Sequence, residues 1–229
     1  MTTQTVRLNI FTNSTASAPS TDIIRRTWAS FRETFGGVPV VVYCDTHPNT
    51  RMAGKYVSAL RKIFPDVVET ISLSDGYIRS IRESCEDYDY LFQLEGDWEF
   101  VAGNIHHSLA EILSVMKGHD IYHFRFNKRE NKIAVWDKRM DEQKYANGNG
   151  TLIMKYCESN NLSNNPHIID RKKYVDELMQ YIQIVPGSKG IEEKLNAVGG
   201  LVSCVYGPLG YPATVTHLDG RKVKRGWLG

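Results

Sequence analysis

The chain has 229 residues, 41% hydrophobic and 24% charged, a composition typical of a globular protein with enough apolar side chains for a sizeable core. A formal net charge of +2 is too small to identify a nucleic-acid partner. The four cysteines lack Cys-x-x-Cys spacing, and no apolar run approaches the ~20 residues of a membrane span. We therefore expect one domain over residues 1–229, cytoplasmic, with reduced thiols and no transmembrane segment.

The first half of the chain alternates predicted strands with predicted helices. Short apolar runs predict strands at residues 7–12, 39–44, 67–73 and 90–94. Apolar residues at helical spacing predict helices between them, around residues 22–35 and 56–64 and at Arg79 to Arg82. This alternation is typical of an α/β, Rossmann-like fold, with a mostly parallel sheet and helices on both faces.

Polar side chains follow each of these four strands. They are Thr12 and Asn13, then Asp45, then Ser74 and Asp75, and finally Glu95 and Asp97. Ligands of parallel sheets bind at the carboxyl ends of the strands, so these residues are expected along one edge of the sheet. The convergence favours a nucleotide site.

The fourth strand ends in Glu95-Gly96-Asp97, and Trp98-Glu99-Phe100 follows. Carboxylates two residues apart in extended backbone project to the same side, and the glycine allows close approach. Mg²⁺ or Mn²⁺ is typically held by one or two carboxylates together with substrate phosphates. An ordinary acidic turn is the alternative, but the hydrophobic flanks indicate a half-buried position, where a charge needs a partner.

The second half is predicted to be mixed. A helix is expected from Asn104, antiparallel strands at 121–126 and 132–136 around a basic turn at Lys128-Arg129, and a polar loop over 137–149. Residues 164–170 are expected to lead into a helix, followed by a hinge at 186–190, a helix from Ile191, and strands at 201–206 and 213–216. Together, these predicted elements indicate a smaller, mixed antiparallel C-terminal part.

Two nucleotide motifs are absent from the sequence. No Gly-x-Gly-x-x-Gly follows the first strand, which weakens a dinucleotide-cofactor interpretation. The Gly-x-x-x-x-Gly-Lys-Ser/Thr loop of NTPases is also missing, and residues 13–17 form a poor triphosphate loop for a nucleotidyltransferase. A phosphate group would therefore need a metal.

The run Leu94-Glu-Gly-Asp-Trp-Glu-Phe100 resembles the Asp-x-Asp-type motif of GT-A-fold glycosyltransferases, in particular small soluble bacterial and phage enzymes with a Glu-Asp-Asp-Trp-like version. The resemblance extends over most of the chain. Asn165-Pro166, the Gly190-to-Lys194 segment and His217 are similar in order and kind to that family's acceptor region, base-bearing helix and late metal-binding histidine. It implies a nucleotide-sugar-binding half at 1–103 and an acceptor-binding half at 104–229.

The resemblance also implies residue roles. Asp97 and His217 would bind Mn²⁺ or Mg²⁺, and Glu95 would touch the sugar or ribose or support the metal. Thr12, Asn13 and Asp45 would hold the base and ribose of the nucleotide-diphosphate sugar, and Arg79 or Arg82 would face the donor. Asp75, at a neighbouring strand end, is also expected to contact the donor. Glu193, or failing that Glu192, would be the general base, although both acids also suit the first turn of a helix because of its dipole. The sequence departs from the family pattern in having Glu95 and Gly96 where a second aspartate is expected.

The implied activity is metal-dependent, inverting transfer of a sugar to an acceptor hydroxyl. Basic runs at Lys128-Arg129, 171–173 and 221–225 suggest an anionic acceptor, such as a 5-hydroxymethylated pyrimidine in phage DNA, reached by base flipping. The alternative acceptor is a cell-surface glycan or its lipid-linked precursor, and the basic runs are then solvated surface. A non-catalytic nucleotide- or sugar-binding protein is the third possibility.

Overall fold

The computed structural model describes residues 5–13, 20–45, 50–84, 87–135, 137–182, 191–198 and 201–218. Within these ranges, nine strands form one sheet and two short strands form a second. The order across the large sheet is β3-β2-β1-β4-β9-β6-β10-β8-β7, and β5 pairs with β11. None of the helices in these ranges is long and apolar enough to cross a membrane.

The strands of the first half are parallel, as the alternating pattern predicts. They are β1 (Val6–Asn13), β2 (Val40–Asp45), β3 (Val67–Thr70) and β4 (Tyr90–Glu95). β1 lies between β2 and β4, so the chain builds outward from β1 on one side and then returns to its other side. The crevice at such a reversal is where open α/β sheets bind ligands.

The second half extends the sheet with mixed pairing. Its strands are β5 (Trp98–Phe100), β6 (His123–Arg125), β7 (Met140–Ala146), β8 (Leu152–Ser159), β9 (His167–Asp170), β10 (Ser203–Tyr206) and β11 (Val215–His217). β9 is antiparallel to both β4 and β6, whereas β10 is parallel to β6. β8 is antiparallel to β10 and to β7. The predicted α/β architecture with a mixed C-terminal part is confirmed.

Helices cover both faces of the sheet. They are α1 (Asp22–Phe35), α2 (Thr50–Leu60), α3 (Leu73–Arg82), α4 (Leu109–Gly118), α5 (Arg171–Lys173), continued by a π-helical turn over Tyr174–Leu178, and α6 (Ile191–Val198). Buried side chains of α1, α2 and α4 pack on one face of the sheet. Those of α3, the π-helical turn and α6 pack on the other. The second face also carries Glu95, since Leu91 on the same side of β4 belongs to that core.

Two boundaries predicted in the first half are wrong. The third strand ends at Thr70, and the predicted loop at Ser74-Asp75 lies in the first turn of α3. Ser72 caps this helix, because its hydroxyl accepts a hydrogen bond from the Asp75 N–H at 3.1 Å. The capping signal outweighs the strand propensity of Ile71. Likewise α4 begins after Ser108, in a capping box with Glu111, and not at Asn104.

The predictions for residues 132–149 are also wrong. Residues 132–135 form no strand, because both edges of the preceding strand β6 are occupied by β9 and β10. The predicted polar loop at 137–149 contains β7, which forms a hairpin with β8. β7 is the edge strand of the sheet, and after Met140 its side chains alternate between partly buried and exposed positions, which explains its polar sequence. Residues 186–190, the predicted hinge, lie outside the described ranges.

A buried ion pair ties the irregular segment before β7 to the sheet. The Arg125 guanidinium donates to the Asp137 carboxylate, and the two side chains are 2% and 6% exposed. Asp137 also accepts a 2.6 Å hydrogen bond from the Ser159 hydroxyl. Removal of one partner would leave a buried charge uncompensated, which is far more costly than loss of an exposed pair.

Asp137→Ala should therefore lower the free energy of unfolding by about 3–5 kcal/mol. The matched control is Asp141→Ala, which breaks the exposed Arg139–Asp141 pair and should cost at most about 1 kcal/mol. Urea denaturation of the two variants and the wild type measures both values. Equal losses in the two variants would show that the buried pair does not hold this segment.

Candidate active site

The site is centred on the carboxyl ends of β1 and β4. In the sheet Phe11 lies opposite Glu95, and the N–H of Gly96 donates a 2.7 Å hydrogen bond to the Phe11 carbonyl. A Cβ at Gly96 would stand 3.2 Å from both that carbonyl oxygen and the Thr12 Cβ. A side chain at position 96 would thus crowd the neighbouring strand, and the glycine lets the turn fold tightly against β1.

The turn brings Asp97 beside His217. Asp97 Oδ2 lies 3.1 Å from His217 Nε2, and the two side chains are 38% and 33% exposed. β11 runs antiparallel to β5, with His217 opposite Trp98, and the Leu218 N–H donates to the Asp97 carbonyl at 2.5 Å. The Trp98 and His217 rings meet edge to face at 4.7 Å. The short sheet therefore fixes an imidazole against the acidic turn.

Glu95 has an acid-rich environment. Burial and the neighbouring charges of Asp97 and Glu192 raise the pKa of the Glu95 carboxyl to about 7, while Lys128 lowers it. A carboxyl group in this position binds a proton readily near neutral pH unless a cation is nearby. The strand end thus concentrates negative charge at the mouth of a crevice.

A narrow crevice next to Glu95 has room for about one water molecule. Its lining combines apolar and polar side chains, namely Phe11, Leu73, Tyr77, Gln93, Leu94, Glu95, Asn164, His167 and Ile191. The Tyr77 hydroxyl lies 3.1 Å from His167 Nε2, and His167 Nδ1 lies 2.8 Å from the Asn165 carbonyl oxygen. Because a carbonyl only accepts, Nδ1 donates to it and Nε2 accepts from Tyr77.

Helix α6 places Glu192 against Asn164, one of the residues that line the crevice. Its carboxylate accepts hydrogen bonds from the Asn164 N–H and, at 3.2 Å, from the Ser163 hydroxyl. Its charge contributes to the raised pKa of Glu95 and of Tyr77. The side chain of Glu193 lies outside the described part of the structure.

The predicted nucleotide-binding residues separate into two groups. Thr12, Asn13 and Asp45 lie at neighbouring strand ends, where Asn13 is opposite Asp45 and the Thr12 hydroxyl is 2.8 Å from that of Tyr56. Asp75 is instead buried in the first turn of α3, where its carboxylate accepts a 3.0 Å hydrogen bond from the Ile71 N–H. Arg79 donates to Glu83 and to the Glu69 carbonyl.

Three residues of the site were missed by the sequence interpretation. Tyr77 and His167 line the crevice, and Lys128 lies near Glu95. His167 belongs to β9, which lies between β4 and β6 in the sheet. No local pattern in the sequence predicts this position of β9. The spacing of two residues between His167 and Ile169, which places both on one face of a strand, was the available signal that His167 is buried.

Metal binding at this edge would be shared with the substrate. The described residues contain no group of three or more His, Cys, Asp or Glu side chains able to hold a metal ion by themselves. Asp97 and His217 supply one oxygen and one nitrogen ligand at adjoining positions. This pair fits Mn²⁺ or Mg²⁺, which fill their remaining positions with phosphate oxygens and water.

The thiols of Cys44, Cys157 and Cys204 are free and buried, whereas Cys85 lies outside the described ranges. Burial raises the pKa of the Cys44 thiol to about 12 and that of Cys157 to about 11. Neutral buried thiols of this kind are poor nucleophiles. The candidate chemistry therefore rests on carboxylates and imidazole.

No protein-family model matches this chain, and no curated protein matches its sequence. Among solved structures, it is similar to the crystal structure of S. aureus TarS 1-349 in complex with UDP, at a TM-score of 0.48 and 12% sequence identity. The match covers 91% of this chain and 59% of the TarS chain. Because the TM-score and the identity are this low, we base the interpretation of the site on its own residues.

The buried histidines beneath the crevice predict acid sensitivity. The rings of His123 and His167 stack at 4.2 Å, and burial lowers the pKa of His167 to about 4 and that of His123 well below its ordinary value. The unfolded chain binds these protons near pH 6.5, so its proton uptake destabilises the fold as the pH falls. The free energy of unfolding therefore has its full value above pH 6.5. Below that pH it decreases, for each of the two histidines, by up to about 1.4 kcal/mol per pH unit.

His123→Gln should therefore flatten the pH dependence of the unfolding free energy between about pH 6.5 and pH 5. Urea denaturation at several pH values measures the slope for the wild type and the variant. The comparison of slopes is independent of any constant destabilisation that the substitution causes. Identical slopes would show that His123 binds protons equally in the folded and unfolded states.

Proposed function

We propose that the protein is a metal-dependent, inverting glycosyltransferase that moves a sugar from a nucleotide-diphosphate sugar to an acceptor hydroxyl. The observation that carries this proposal is the contact between Asp97 and His217 at the carboxyl edge of the sheet. It lies at the adjoining carboxyl ends of β1 and β4, beside a crevice with both polar and aromatic side chains. A metal-diphosphate group and a sugar are the ligands that suit such an arrangement.

The proposed donor lies across the strand ends. Thr12, Asn13 and Asp45 would contact the nucleoside, since they end the two strands on one side of the acidic turn. Asp97 and His217 would hold the divalent metal with the diphosphate, and Glu95 would face the sugar or ribose. When bound, Mn²⁺ or Mg²⁺ supplies positive charge at the departing diphosphate.

The chemistry requires a base on the acceptor side. The acceptor oxygen forms a bond to the anomeric carbon as the bond from that carbon to the diphosphate oxygen breaks, and its electron pair leaves with the diphosphate. A carboxylate takes the proton of the acceptor hydroxyl. We assign this role to Glu192, supported by its position at the crevice near Glu95, and retain Glu193 as the other candidate.

Two acceptor classes are proposed, 5-hydroxymethylated DNA and a cell-surface glycan or its lipid-linked precursor. The basic run at 171–173 is partly neutralised, since Lys172 pairs with Asp176 and Lys173 with Asp120. Lys128 and Arg129 are exposed beside the site, and residues 221–225 lie outside the described ranges. DNA containing hydroxymethylated pyrimidines and a lipid-linked glycan should be tested in parallel as acceptors.

Asp97→Asn should abolish sugar transfer, because it removes ligand charge with little change in shape. The expected loss of donor turnover is about 100-fold or more. Release of nucleoside diphosphate from a panel of nucleotide sugars, with water as acceptor and with or without Mn²⁺, measures turnover without knowledge of the acceptor. Thermal shifts with the same panel report donor binding.

The matched control is Glu99→Gln, which removes the next carboxylate along β5, an exposed partner of Arg26 at 2.9 Å. This variant should retain turnover and the metal-dependent thermal shift. Near-normal turnover by Asp97→Asn would contradict the metal site. Binding without turnover in the wild type would favour a non-catalytic nucleotide- or sugar-binding protein.

Glu192→Gln should bind donor normally and turn it over about 10²- to 10⁴-fold more slowly, the range expected for loss of a general base. Glu193→Gln is the matched comparison on the same helical turn. A selective loss in Glu193→Gln would move the base to that residue. If both variants retained full turnover, the base would have to lie on another element.

A further inference from the structure

We propose that Lys128 binds the diphosphate of the donor and stabilises it as it leaves. This inference rests on the proposed function, because it assumes a nucleotide-diphosphate donor at the Asp97 edge. Three independent features support it: the anchoring of the Lys128 backbone, the direction of its side chain, and the charges around it.

The backbone next to Lys128 is anchored to the segment that leads to His217. The Asn127 N–H donates a 2.9 Å hydrogen bond to the Thr214 hydroxyl, and the Thr214 N–H donates to the Asn127 carbonyl at 2.8 Å. On the other side, the Asn131 amide donates to the carbonyls of Tyr206, Gly207 and Pro208 at 2.8–3.1 Å. Asn127 and Asn131 are both buried, and the side-chain amide of Asn127 donates a 3.1 Å hydrogen bond to the side-chain oxygen of Asn131. Lys128 therefore projects from a fixed turn.

The side chain of Lys128 reaches towards the acidic turn. Its ammonium nitrogen lies 5.5 Å from the centre of the Trp98 ring, a distance at which a cation is attracted to an aromatic face. Trp98 follows Asp97 directly and also contacts the His217 ring. The ammonium group thus lies on the side of the Trp98 ring, next to the acidic turn that carries Asp97.

The charge of Lys128 is available to a ligand. It is exposed, and it forms no ion pair with any carboxylate of the described residues. Arg26 and Arg125, by contrast, are already paired, with Glu99 and Asp137 respectively. A cation held by an aromatic face among acids can bind an anionic group without first losing a salt bridge.

The role follows from the charge balance of the transfer step. When the bond between the anomeric carbon and the diphosphate oxygen breaks, the electron pair stays on that oxygen and negative charge grows there. Lys128 remains protonated throughout and donates a charge-assisted hydrogen bond to a phosphate oxygen. A nucleoside monophosphate, which lacks the outer phosphate, should gain little from this contact.

The test compares Lys128→Met with Lys132→Met, which removes the same charge from an exposed position on the same segment. Calorimetric titration with UDP, GDP, CDP and ADP in the presence of Mn²⁺ identifies the diphosphate that the wild type binds most tightly. Lys128→Met should bind that diphosphate about 10- to 100-fold more weakly, the range for loss of a hydrogen bond to a charged group. Its affinity for the corresponding monophosphate should change by less than about threefold.

Lys132→Met should match the wild type with both ligands, and Lys128→Arg should recover most of the lost affinity. Equal affinity of Lys128→Met and the wild type for the diphosphate would overturn the assignment, as would an equal loss for diphosphate and monophosphate. A variant that bound diphosphate normally but DNA more weakly would assign Lys128 to the acceptor surface instead. Failure of the wild type to bind any of the four diphosphates would refute the proposed function itself, and this inference with it.

Discussion

The antiparallel pairing of β5 with β11 is the interaction on which the candidate site depends. It joins the turn after β4 to a segment near the end of the described chain. Without this pairing Asp97 and His217 would not be in contact. Such a contact closes a long loop at an entropic cost that grows only slowly with loop length. Buried Trp98 and Val215 supply apolar contact that offsets this cost, since both pack into the core below the turn.

The face of the sheet beneath the crevice carries a row of polar side chains. Asn9, Gln93, His167 and Arg125 lie opposite one another on four adjacent strands, and all are buried. Asn9 donates to the Gln93 amide oxygen at 3.2 Å. Hydrogen bonds within such a row restrict the orientations of its side chains, whereas an apolar floor would allow repacking. Fixed orientation is what recognition of a sugar requires, because sugars are distinguished by the positions of their hydroxyl groups.

The sequence was informative where the structure is local and misleading where it is not. Alternating strands and helices up to Glu95 were predictable, because β1, β2 and β4 are largely buried on both faces and have continuous apolar runs. The acidic turn was also recognisable as a local pattern, whereas Glu192 and Glu193 were singled out only by the resemblance. The insertion of β9 was not predictable, because its partners β4 and β6 lie far away in the chain. The edge strand β7 was missed because its exposed positions give it a polar sequence. Lys128 was treated only as part of a basic run, because its relation to Trp98 exists only after folding.

The charges around the acidic turn indicate how a donor can bind. Glu95, Asp97 and Glu192 contribute negative charge on one side, and the charge of Lys128 lowers the pKa of Glu95. A bare diphosphate would add charge of the same sign to this cluster and would be repelled. A divalent metal held by Asp97 and His217 would reverse that balance, and Lys128 would then meet the diphosphate on its outer side. The proposed metal dependence and the proposed role of Lys128 thus have one electrostatic reason, since neither cation alone would compensate the charge of the acids and the substrate together.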